Sequence, residues 1–260
     1  MSVNWHEIQQ ALSPIKDYED LCRRFQTSFA FSFVRQTFDF SLPDLVSYTQ
    51  RLLGGDTRGR YAEYTTRLVG TLSELHQAGI RSVLVLVSRT ASRNQLEAFS
   101  EQSGIPAPDI VTLLKYLIYW FIPGEKYLSG LVRDDPASSA AIKVLGEAGV
   151  RTNLQLLQRA LTPAERKELA ESTNLPEAII AALVHRADFS RLPWTSKATI
   201  SNIIGAGYGS LAALANADAE QLYTDFFRYG KSIGKNLKLG NEIENSYRIA
   251  RIVPVLIHED

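Results

Sequence analysis

Cysteine is almost missing from this sequence. Cys22 stands alone in 260 residues, which excludes an intramolecular disulfide and any multi-cysteine metal site and fits a reducing compartment, so cytoplasm is the expected location. Net charge is missing as well: 28 basic side chains meet 28 acidic ones, whereas nucleic acid binders carry a net basic face. The longest apolar run, IVTLLKYLIYWFI at 110–122, contains Lys115 and is too short to span a bilayer, so it reads as a core helix. The opening MSVNWHEIQQ lacks the basic-then-apolar pattern of a secretion signal, and the chain is expected to stay where it is made.

Signatures of chemistry are equally scarce. GKS at 230–232 has Asp225 where a phosphate loop requires its first glycine, so Gly230 reads as a helix C-cap. GAGYG at 205–209 lacks the glycine spacing of a dinucleotide fingerprint, and its glycines read as helix contacts and turns. His6, His76, His185 and His258 show no i, i+4 pairing. No nucleophile elbow or paired-carboxylate pattern stands out. The expectation is a non-enzyme with no cofactor and no metal.

What the sequence does contain is repetition. LHQAGIRSVLVLV at 75–87 is nearly restated by LGEAGVRTNLQLL at 145–157, and one constant offset carries Gly79 onto Gly149, Arg89 onto Arg159, Ser92 onto Thr162, Phe99 onto Leu169 and Ile105-Pro106 onto Leu175-Pro176. A second offset places Leu21 under Leu86, Arg24 under Arg89 and Asp44 under Asp109, a fainter first copy. AGYGSLAAL begins a fourth, matching Gly207, Ser210 and Leu214 to Gly149, Thr152 and Leu156. Regular self-similarity of this length marks stacked structural units. The reading is an N-terminal arm at 1–14, repeats at 15–79, 80–149 and 150–207, and a partial repeat with a cap at 208–260.

The elements follow from the clearest copy. Thr162, Pro163 and Glu165 form the start of a capped helix, Ser92 and Gln95 reuse the device, and IPAPDIVTLLKYL and LPEAIIAALVHRA read as proline-initiated helices. VLVLV at 83–87 and FAFSFV at 29–34 have strand-like composition, yet their register within the repeat makes both helical, so the fold class is all-α. Phe29, Phe31 and Phe33 then occupy positions that face water in the third copy. Either the arm bearing Trp5 covers them or they form a contact patch.

The segment AGVRTNLQLLQRALTPAERKELAESTNLPEAIIAALVHRADFSRL, with a following helix that ends in AG, resembles an uncharacterised bacterial domain-of-unknown-function family built of helix-hairpin-helix-like units. The likeness is good over 145–220, diluted over 75–145 and poor before. It implies tandem helix-hairpin-helix-like helical repeats and, by kinship, nucleic acid binding. Such hairpins hold phosphate on the backbone of a glycine turn at a helix start. Here the turn's place is taken by Thr66-Arg67-Leu68, Pro136-Ala137-Ser138 and Trp194-Thr195-Ser196, with no glycine.

Two functions are therefore expected in order. The first is a scaffold or adaptor that binds another macromolecule, a protein or a second copy of itself, through Phe29, Phe31 and Phe33, joined by Trp120 and Phe121 if that helix end is exposed. The second is sequence-independent nucleic acid binding through Arg67, Lys197, Lys231, Lys235 and Lys238.

Overall fold

A computed structural model describes residues 3–54, 59, 61–132, 135–237 and 240–259 of the chain. Two compact units make it up, Met1–Ile122 and Pro123–Asp260, the division falling within the 80–149 segment. The N-terminal unit holds α1 (Trp5–Leu12), α2 (Tyr18–Phe29), α3 (Ser32–Thr37), α4 (Leu42–Leu53), α5 (Ala62–Gln77), α6 (Val83–Arg89), α7 (Arg93–Ser103) and α8 (Ala107–Trp120). In the C-terminal unit a 3-10 turn (Leu128–Gly130) precedes α9 (Pro136–Glu147), α10 (Asn153–Arg159), α11 (Pro163–Thr173), α12 (Glu177–Phe189), α13 (Lys197–Gly205), α14 (Leu211–Ala215), α15 (Ala219–Ser232) and α16 (Asn241–Ala250). The protein is all-helical, with no strand among the described residues, and 83–87 lies within α6. Among those residues no helix is long and apolar enough to cross a membrane.

Local chemistry sets the boundaries. Thr162 accepts the Glu165 amide while Glu165 reaches back to Thr162, a complete capping box. Thr152 and Gln155 form a second box at α10, a device the sequence reading passed over. Ser92 caps α7 by accepting from the Gln95 amide, and Ser210 caps α14 from that of Ala213. The three AG dipeptides end α5, α9 and α13 in one way: Gly79, Gly149 and Gly207 take φ of 85°, 81° and 104°, conformations that a side chain disfavours. The next amide then bonds five residues back, Ile80 to Leu75, Val150 to Leu145 and Tyr208 to Ile203, a C-cap closed by a buried apolar pair.

Each unit has its own core. In the first, α8 buries Ile110, Leu113, Leu114 and Leu117, and its Lys115 donates to the Ala11 and Ser13 carbonyls, satisfying the C-terminal end of α1. In the second, α12 buries Ile180, Leu183, Val184 and Ala187 against α10 and α11. Its 253–259 segment is stapled down by two buried arginines: Arg166 donates to the His258 carbonyl at 3.0 Å and Arg191 to that of Pro254 at 3.1 Å. Arg191 also pairs with the buried Asp188 at 2.6 Å.

Each unit also contains an antiparallel bridge between two N-cap residues, Ser41 with Ser82 in the first and Tyr127 with Thr152 in the second. The registers match. Val83 donates to the Phe40 carbonyl and Leu42 to that of Arg81; Asn153 donates to Lys126 and Leu128 to Arg151 in the same order. The position of Phe40 in one unit is thus the position of Lys126 in the other, and that of Val83 is held by Asn153.

Candidate functional site

The aromatic side chains expected to form a contact patch lie mostly inside the N-terminal unit. Phe29 is 7% exposed and Phe33 5%, while Phe31 is partly exposed. The chain breaks at Ala30 and Phe31, so Phe29 ends α2 and Phe33 belongs to α3. Two helices, not one, carry the alternating phenylalanines, and both ends turn inward. Trp5 is not their cover: it packs on Tyr18, donates to Glu97 and lies beneath the Arg93 guanidinium. Trp120 and Phe121 are buried too, in a ring cluster with Phe40, Tyr48 and Tyr116. The condition attached to them, an exposed helix end, is not met.

The basic candidates are scattered. Arg67 is exposed in the interior of α5 and pairs with Asp109 of α8, so no hairpin turn exists at 66–68. At 136–138 the acidic cap Asp135 accepts the Ala137 and Ser138 amides, filling with a carboxylate the place a phosphate would take. At 194–196 the chain does turn, between α12 and α13. Trp194, 46% exposed, adopts φ 55°, a left-handed backbone it shares with Asn174 and several glycines, and Ser196 caps α13 with Lys197 as its first residue. Lys231 is exposed in the last turn of α15 and Lys235 is exposed just beyond it, and Lys238 lies outside the described residues.

That turn rests on a buried polar hub the sequence did not announce. Asn153, fully buried, accepts from the Lys126 amide at 2.7 Å and donates to the Gly124 carbonyl at 3.0 Å and the Ser190 hydroxyl at 2.8 Å. The Lys126 ammonium donates to the carbonyls of Ser190, at 2.8 Å, and Thr195, at 3.4 Å. Ser190 is the C-cap of α12, where a cation complements the helix dipole. The residue as a whole has intermediate exposure, yet its charged end is surrounded by protein, and desolvation lowers its pKa to about 8. Lys126 and Asn153 therefore fix the 190–195 turn from beneath.

Exposed apolar surface is gathered in the same unit. Of the large hydrophobic side chains standing in solvent among the described residues, only Val85 belongs to the N-terminal unit; Tyr127, Trp194, Tyr223, Phe227, Ile233 and Val255 belong to the other. Tyr223 and Phe227 lie one turn apart on α15, at 57% and 45% exposure, and the Lys231 ammonium rests 4.5 Å from the Phe227 ring centroid. On its other side α15 seats Leu222 and Phe226 in the core and lays Tyr229 on Gly205 of α13, where a Cβ would fall 2.2 Å from the ring. Gly230 is a buried residue of the last turn and not the cap, which is Ile233 followed by left-handed Gly234.

Fold and surface define an all-helical protein with an exposed aromatic and basic face, and without three His, Cys, Asp or Glu side chains grouped as metal ligands among its described residues. A family model described as a domain of unknown function, DUF4332, matches residues 137–243, a span holding the Trp194 turn and all of α15. No curated protein and no solved structure matches the chain.

Proposed function

We propose that this chain is a non-enzymatic, cytoplasmic scaffold of tandem helix-hairpin-helix-like units that docks another macromolecule through its C-terminal unit. The single observation that carries this reading is the uneven exposure: among the described residues six of the seven solvent-facing large hydrophobics belong to that unit, four of them within the family-matched span. Clustered exposed rings mark contact surfaces in monomers that otherwise hide such area. Support for the repeat organisation comes from the shared order of helix, left-handed glycine and N-cap at Gly79, Gly149 and Gly207. The test is site-specific photocrosslinking in the native cell, with a photoreactive phenylalanine at position 223, 227 or 85. Adducts from 223 and 227 but not 85 are expected. Equal labelling at all three positions, or none, refutes the docking role.

A further inference from the structure

The chemistry around the two exposed rings of α15 identifies a class of partner. Tyr223, Phe227 and Lys231 recur every fourth residue and so share one face of the helix. Between Asp225 and Glu242 every charged residue of the sequence is basic, namely Arg228, Lys231, Lys235 and Lys238. Arg228 is tied to Asp225 at 3.3 Å, and Asp225 is further engaged by Tyr208 and Gln221, so this carboxylate is already neutralised. Glu220 is the acid on the ring face, and it lies at the opposite end from the lysines. A cation in the last turn of a helix complements the dipole, which accounts for Lys231 alone. It accounts neither for Lys235, beyond the helix end, nor for two rings left in water.

Protein interfaces favour aromatic residues but are depleted in lysine at their centres. A polyanion with its own flat apolar faces suits lysine-flanked rings better. We propose that this face of α15 binds single-stranded nucleic acid without regard to sequence, its bases stacking on Tyr223 and Phe227 and its phosphates meeting Lys231 and Lys235. The proposal rests on the docking role of the C-terminal unit and names its partner.

Strandedness follows from geometry. Four residues of helix rise about 6 Å, close to twice the 3.4 Å separation of stacked bases, so neighbouring bases each reach a ring only when the strand between them is unstacked. Duplex bases, moreover, have their faces hidden, whereas an unpaired strand offers each ring its own base. The ammonium now over Phe227 is exposed and free to swing; an arriving base takes its place on the ring and leaves it to a phosphate. The site is distinct from the Trp194 turn, since it lies on α15.

The experiment is fluorescence anisotropy of the full chain with a labelled oligothymidylate of about 20 nucleotides and a duplex of equal length, at about 50 and about 200 mM salt. Single-strand binding tighter than duplex binding is expected. Y223A/F227A should weaken it roughly tenfold or more with an unchanged salt slope, and Phe227→Trp should retain it. K231Q/K235Q should flatten the slope by about 1.4, two phosphate contacts' worth. All these side chains are exposed, and circular dichroism verifies that the variants remain folded. No binding at low salt, equal affinity for duplex, or indifference to ring removal overturns the proposal. Photoadducts at 223 and 227 that resist nuclease but yield to protease, with no oligonucleotide bound, leave the docking role standing and remove this partner.

Discussion

Replacing Lys126 by methionine separates the two contributions of a buried ammonium. The stem is kept, so packing along the side chain is preserved. The charge is lost, and with it the desolvation that holds the Lys126 pKa near 8 against an ordinary value of 10.5, a difference equivalent to about 3 kcal/mol. Against this, the Ser190 and Thr195 carbonyls lose their donor, at about 1–3 kcal/mol for each one left unsatisfied. At neutral pH these effects oppose each other, and the variant should fall within about 2 kcal/mol of the wild type.

Their pH dependence differs, because folding lowers this pKa and the unfolded chain holds the proton longer. Between about 8 and 10.5 the unfolded state therefore binds more protons, and wild-type stability rises with pH across that window. K126M has no such term. Urea unfolding of both proteins at about pH 7 and about pH 9.5 should show the wild type gaining about 2 kcal/mol on the variant, common ionisations cancelling in the difference. Parallel pH profiles, or a wild-type advantage that shrinks with pH, would refute the buried-ammonium argument.

Four further substitutions probe the frame. Gly79→Ala and Gly149→Ala meet no atom within 4 Å of the new Cβ, so each should cost about 1 kcal/mol from the left-handed backbone alone; unequal losses in thermal unfolding would mean the two turns differ. Asn153→Leu orphans the Lys126 amide and the Gly124 carbonyl and should lose about 2–4 kcal/mol, with faster hydrogen exchange at Lys126; unchanged exchange would show that the hub does not hold that segment. Arg191→Met strips the buried Asp188 of its ion pair and the Pro254 carbonyl of a donor, a loss of about 3–5 kcal/mol. Limited proteolysis should then cut the 253–259 segment first, and a tail as resistant as the wild type's would contradict the staple.

Where the sequence was legible, the signal was local. Caps at Ser92 and Thr162 and the AG turns could be read because each is a bond between residues three to five apart. The bridges could not, because Ser41 finds Ser82 across two helices and a single residue pair leaves no periodic trace. Lys126 sat unremarked in GEKYLSG, which reads as a solvated loop; its burial depends on the distant carbonyls of Ser190 and Thr195. The phenylalanines at 29, 31 and 33 misled because their spacing was applied to one continuous helix. A signal for the exposed face was present nonetheless: Leu222 and Phe226 form one α15 stripe, and Tyr223 and Phe227 a second that one buried face does not accommodate.

The matched bridges tell most about how the two units differ. Phe40 and Val83 close the first with apolar surface, Phe40 meeting Phe38, Tyr48 and Phe121 within 6 Å. An apolar closure of this kind requires burial and shape but few fixed directions. Lys126 and Asn153 close the second with directional bonds, each donor aimed at a named carbonyl or hydroxyl, and a buried polar group tolerates only the geometry that satisfies it. That constraint holds the 190–195 turn in one shape, including the left-handed Trp194 whose ring it presents to solvent. At this one junction, rings seal the N-terminal unit while polar bonds seal the other, whose Trp194, Tyr223 and Phe227 stand outside. A ring held outward on a directionally fixed turn, as that of Trp194 is, is preorganised for contact, which lowers the ordering cost of binding.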